Sequence, residues 1–232
     1  MKRKEEVENT VSQLESLGDP SCVDGMARYG IRSKGVLGVP MPAITRIAKS
    51  IGSDHELADE LWRTDIYDAR ILAALIDDSD MVTEEQMDRW VKDFDSWAIC
   101  DGLCVHLFND TPFAFDKAFA WTKRNEEFVR RAGFALMASL AVHDKKAGDA
   151  VFIRFLPLIQ RFSNDERVYV KKAVNWALRQ IGKRNIRLNK RALEMARKLR
   201  NSDSKSAKWI ASDALRELES EPVQKRLKSK KS

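Results

Sequence analysis

Apolar residues recur along this chain at spacings of three and four, and almost nowhere at alternate positions. In residues 166–183, Val170, Ala173, Val174, Ala177, Leu178 and Ile181 share one face of a helical wheel, which predicts a helix with one buried stripe. Ile99, Cys100, Leu103, Cys104 and Leu107 do the same in residues 96–108, with Trp97, Asp101 and Phe108 as an adjacent edge stripe. In residues 126–141 the core face is Phe128, Val129, Ala132, Leu136 and Leu140. The same period predicts helices near 3–17, 22–29, 41–50, 54–63, 66–76, 84–93, 113–123, 147–161, 187–200 and 204–219. No segment rich in Val, Ile and Thr alternates with period two, so no strand is expected.

Thr83-Glu84-Glu85-Gln86 and Ser163-Asn164-Asp165-Glu166 read as capping boxes. Thr111-Pro112 reads as a cap followed by Pro at the first helical position. Gly30–Pro42 is a loop by its glycines and prolines. The residues after Pro222, VQKRLKSKKS, read as a basic, frayed tail. From residue 54 to 219 the helices recur in pairs of roughly 30–45 residues, a degenerate HEAT-like pairing. The expected fold is therefore all-α: a solenoid of HEAT-like repeats over 1–220 as one domain, with a tail at 221–232. A solenoid offers a concave face to a long partner; a compact helical bundle is the alternative.

Composition narrows the class. With 232 residues, 44% of them hydrophobic and 33% charged, the chain can bury a sizeable core and is not disordered. No apolar run approaches the roughly 20 residues of a membrane span. MKRKEEVENT has no apolar segment behind its basic start, so no signal peptide is expected. Three cysteines fit the reduced thiols of a cytoplasmic protein.

Charge changes the picture more. Residues 1–120 hold 13 Lys+Arg and 23 Asp+Glu, a net −10; residues 121–232 hold 28 and 12, a net +16. That asymmetry points to an anionic partner for the C-terminal half, most often nucleic acid. A solvated basic surface is the plainer explanation.

Trp176 lies opposite the apolar stripe of its helix, grouped with Lys172, Arg179 and Lys183 and beside Tyr169. An indole among three cations suits a stacking platform beside a phosphate-binding strip. It also suits a Trp packed on a neighbouring helix under draped basic side chains. Trp97 and Asp101 point the same way, one turn apart; taken by spacing alone they read as an ordinary edge pair, with Asp101 salt-bridged to a neighbouring Arg. Arg131 points away from its helix's apolar face, where a lone Arg is usually solvated. Cys100-x3-Cys104-x-His106 does not converge on a metal, since zinc needs four ligands. No phosphate-binding loop, nucleophile elbow or catalytic triad is evident.

Four stretches taken together resemble a known family. They are Tyr29 through Lys49 (YGIRSKGVLGVPMPAITRIAK), Ser96-Trp97-x3-Asp101, Glu127-Phe128-Val129-Arg130-Arg131-Ala132, and Val170-Lys171-Lys172-Ala173-Val174-Asn175-Trp176-Ala177-Leu178-Arg179. From about residue 10 to 215 the chain is similar to the AlkD-like DNA alkylation repair glycosylases, which are built from HEAT-like repeats. The resemblance implies that Trp97 and Trp176 are cleft tryptophans and Asp101 the catalytic carboxylate. It makes Arg131 the cleft arginine, with Arg130 as the neighbouring choice, and Tyr29 a cleft tyrosine. It implies removal of N3- and N7-alkylated purines from double-stranded DNA by a monomer, with no cofactor, no metal and no lysine Schiff base. Lys172, Arg179, Lys183 and Arg130 would then contact DNA. Two other readings remain: a non-catalytic HEAT-like scaffold binding DNA structures or a protein partner, and a solenoid with no nucleic-acid role.

Overall fold

The computed structural model describes residues 2–229. Among them are fourteen α-helices and no strand. They are α1 Lys2–Ser16, α2 Pro20–Arg28, α3 Met41–Ile51, α4 His55–Trp62, α5 Tyr67–Ile76, α6 Glu84–Trp90, α7 Trp97–His106, α8 Ala114–Trp121, α9 Glu127–His143, α10 Asp149–Phe162, α11 Val168–Gly182, α12 Ile186–Arg200, α13 Lys205–Leu218 and α14 Glu221–Ser229. Every helix expected from the apolar period is present, with ends shifted by a few residues. Among the described residues no helix is long and apolar enough to cross a membrane.

Packing divides the chain after Pro112 into two compact units, where the apolar period suggested one domain over 1–220. The division coincides with the change of charge. Residues 1–112 carry 12 Lys+Arg and 22 Asp+Glu, a net −10; residues 113–232 carry 29 and 13, a net +16.

In the first unit α5 packs against α3, α4 and α7. Its core holds Trp62 stacked on Trp90 at 4.3 Å, with Arg70 over the Trp62 ring and the indole Nε1 donating to Asp93. Phe108 belongs to this core and not to an edge stripe: α7 ends at His106, and a 3-10 turn over Phe108–Asp110 carries the ring inward against Trp90 and Phe94. In the second unit α9 packs against α8 and α11, α11 against α12 and α13, and α12 against α13. Gly133 lets α9 approach closely, because a Cβ there would lie 2.6 Å from the Thr122 backbone nitrogen just after α8.

Three local expectations are corrected, and a fourth holds only in part. Ser163 does not start α11; it ends α10, its hydroxyl donating to Gln160 O at 2.8 Å. The Asp165 carboxylate is taken instead by Arg130 and Arg167. Thr111 closes the preceding 3-10 turn through Phe108 O, so α8 begins at Ala114 and Pro112 lies outside it. The expected tail is helical as far as Ser229: Leu227 is buried, and Gln224 Nε2 donates to Leu218 O at 2.6 Å. The rest of that tail, 230–232, lies outside the described residues. Thr83 does cap α6 through Gln86 N, but the Gln86 amide reaches Asp77 and not back to the cap.

Candidate functional site

In the first unit the site is built on the N-terminus of α7. Ser96 is the N-cap and is fully buried, so Trp97 is the first helical residue and Asp101 the fifth. Ile99, Cys100, Leu103 and Cys104 point into the core. Trp97 and Asp101 are left half-buried, one turn apart.

The loop between α2 and α3 braces this helix end. Trp97 Nε1 donates to the Tyr29 carbonyl at 2.9 Å. Ser33 Oγ donates to Asp95 Oδ1 at 2.6 Å, and Lys34 N to the other oxygen at 3.3 Å. The loop is itself pinned by Asp68, which is buried and accepts from Leu37 N at 2.7 Å and Val39 N at 2.8 Å, one amide per oxygen. Burial pushes the Asp68 carboxyl above its ordinary value, with the two amides opposing the shift. Gly38 sits at φ 76°, and a Cβ there would lie 2.4 Å from Asp19 O, so the loop's course requires glycine at this point.

Beside Trp97 lies an apolar cavity of about 530 Å³, walled by Tyr29, Met26, Met41, Ile44 and Tyr67. Tyr29, which follows α2, is the most exposed large aromatic there at 79%. Burial pushes the Tyr67 phenol up to about 12, so it stays uncharged.

In the second unit Arg131 is 5% exposed, not solvated. Neighbours on several sides leave α9 buried almost all round from Val129 to Ala141. Arg131 Nη1 donates to the Tyr169 carbonyl at 2.6 Å, while the Phe128 and Tyr169 rings lie 5.4 Å apart beside it. Arg130 is held differently. It donates to Asp165 at 2.8 Å, Thr122 O at 3.1 Å and Asn125 at 3.2 Å, and lies over the Phe162 ring. Its five donors are therefore committed largely to joining the ends of α8, α10 and α11.

The strip expected on α11 is only partly available. Arg179 and Lys183 both pair with Glu217 at 2.5 Å, and Arg179 also lies 3.5 Å from Asp213. The reason is α13, which packs along α11 and carries Asp213 and Glu217 one turn apart. Burial alone would raise the Glu217 carboxyl, but the Lys183 hydrogen bond and the Arg179 charge hold it below its ordinary value. Lys172 is exposed and Trp176 half-buried.

Sequence reasoning passed over Trp209 on α13. It is 41% exposed, and Lys171 Nζ sits 5.1 Å from its ring centre. A wheel of 205–218 would have found it, since it lies opposite the buried Ala207, Ile210, Ala211, Ala214 and Leu218. Asp101, Arg131, Lys172 and Trp209 are each the fifth residue of their helices. Among the described residues no group of three or more His, Cys, Asp or Glu could hold a metal ion.

Comparison with known proteins agrees with the resemblance. No curated protein matches this chain. A solved structure aligns over 95% of each chain, with a TM-score of 0.78 and 24% identity. It is described as a new family of proteins related to the HEAT-like repeat DNA glycosylases with affinity for branched DNA structures. That likeness establishes the HEAT-like helical-repeat fold. Residues 10–218, nearly the whole chain, match the family model for DNA alkylation repair enzymes. The chain thus belongs to the DNA alkylation repair enzyme family.

Proposed function

We propose that this protein is a monofunctional DNA glycosylase that hydrolyses the N-glycosidic bond of N3- or N7-alkylated purines in duplex DNA. The observation that carries this is the Trp97–Asp101 pair: an indole and a carboxylate one turn apart at a helix start, with the indole braced by the Tyr29 carbonyl. Alkylation at N3 or N7 makes the purine cationic and a good leaving group, so little acid catalysis is needed. As the glycosidic bond breaks, its electron pair leaves with the base and positive charge grows at C1′. Asp101 stabilises that charge and orients the water that adds there, the added water losing its proton through the carboxylate to solvent. Trp97 excludes bulk water and offers its face to the cation. A carboxylate at this position supplies about 10²–10³ in rate. Arg131, Trp176 and Lys172 of the second unit, which is net positive, hold the DNA strand. The enzyme works as a monomer in the cytoplasm, without a metal or other cofactor.

A second reading is a non-catalytic scaffold for DNA structures. It is favoured by the internal pairing of Arg179 and Lys183 and by the branched-DNA affinity of the aligned relative. Release of 7-methylguanine and 3-methyladenine from methylated duplex separates the two. Wild type is expected to release base, and Asp101→Asn to bind DNA normally without release. If neither releases base while both bind DNA with steep salt dependence, the scaffold reading replaces the glycosylase.

A further inference from the structure

The second unit contains an aromatic surface that the proposed catalytic set does not use. We infer that Trp209 packs its indole against a deoxyribose of the bound strand, with Lys171, Lys205 and Lys208 serving the flanking phosphates. This rests on the DNA-binding reading above and extends it to α13.

Three observations carry it. The first is exposure: Trp209 lies opposite the buried face of α13 and keeps 41% of its surface in solvent. A large indole left there needs a partner more than a small apolar residue does. The second is charge. The ammonium of Lys171 is 5.1 Å from the ring centre, and Lys205 and Lys208 on the same helix are exposed. None of the three has a carboxylate within ion-pair distance among the described residues, whereas Arg179 and Lys183 nearby do. A cation beside an indole suits a sugar–phosphate unit, which offers a C–H face to the ring and an anion to the lysine.

The third is register. Arg131, Lys172 and Trp209 are each the fifth residue of α9, α11 and α13, and these three helices pack in succession. The repeat therefore sets Trp209 at the equivalent position, one helix beyond Lys172. An elongated strand held at the exposed Lys172 continues naturally onto α13.

Fluorescence anisotropy of a labelled, undamaged duplex between 50 and 200 mM KCl tests this, with circular dichroism confirming folding. Trp209→Ala is expected to weaken binding about tenfold, and Trp209→Phe, which keeps a ring, far less. Lys208→Ser and Lys205→Ser should each lower the slope of log K against log salt by about one. These two positions are exposed, so they report even if Trp209→Ala unfolds. Wild-type affinity in Trp209→Ala, or an unchanged salt slope in both lysine variants, overturns the inference while leaving DNA binding intact. No binding by wild type overturns the underlying DNA reading itself, a different and recognisable result.

Discussion

The Trp97 indole is anchored to the main chain of Tyr29, not to its side chain: Nε1 donates to the Tyr29 carbonyl at 2.9 Å. The two aromatic side chains can therefore be tested separately. Tyr29→Ala keeps the acceptor, so melting should change little while DNA affinity falls, as read by anisotropy. Trp97→Phe keeps a ring but loses the donor. It should cost about 1 kcal/mol in denaturant unfolding and slow base release, because the ring no longer has a fixed orientation.

Glu217 pairs with two cations that the proposed DNA strand would otherwise meet. Glu217→Gln releases Lys183 and leaves Arg179 with Asp213 alone, so affinity should rise and the slope of log K against log salt should steepen by about one. Stability should move the other way. The Glu217 carboxyl is held below its ordinary value, so its contribution is present above the unfolded pKa near 4.5 and is lost as pH falls through the lower folded value. Acid titration of melting temperature should accordingly be shallower in Glu217→Gln than in wild type.

Asp68 fixes the loop that carries the brace on Trp97. Asn at this position offers one oxygen to two inward-pointing amides, Leu37 N and Val39 N. Asp68→Asn should cost about 1–3 kcal/mol and speed hydrogen exchange at those amides. Its pH dependence has the opposite sign to that of Glu217. The folded Asp68 pKa lies above its ordinary 3.8, so the folded state holds the proton longer. That part of the stability falls as pH rises from 3.8 through the folded value.

On the proposed function the adjacent arginines divide between two tasks. Arg130→Ala removes the pairing with Asp165 and the contact with Phe162, and should cost about 2 kcal/mol. Below its melting temperature it should bind and release base as wild type does. Arg131→Ala also removes the bond to the Tyr169 carbonyl and should cost stability, but it should in addition weaken DNA binding about tenfold under conditions where the variant is folded. Parallel thermal melts and binding isotherms distinguish the two.

Helix content was legible because the buried stripes are clean: all six apolar positions named on α11 are buried. The ends were less so. Ser163 and Thr111 carry capping chemistry, yet each hydroxyl turns back to close the preceding turn. Arg131 defeated the wheel because a helix flanked by several neighbours has no outer face. Arg179 and Lys183 looked available because the carboxylate that neutralises them lies 34 residues or more away in sequence. Trp97 and Asp101 were legible as side chains sharing one face of their helix, and Trp176 as lying opposite the apolar stripe of another, but the backbone acceptor that orients Trp97 leaves no trace in residue type.

The shared fifth position of Asp101, Arg131, Lys172 and Trp209 bears on how such a chain can drift over evolutionary time. Their separations in sequence are unequal, chiefly because the helices between them differ in length, from 8 residues in α8 to 15 in α12. What is common to them is the distance from a helix start. Insertions in the connections are then silent, while one residue gained inside the first turn of α7, α9, α11 or α13 swings the functional side chain about 100° around the helix. Relatives that have diverged beyond recognition in overall alignment would still be comparable if each of these helices were counted from its own cap.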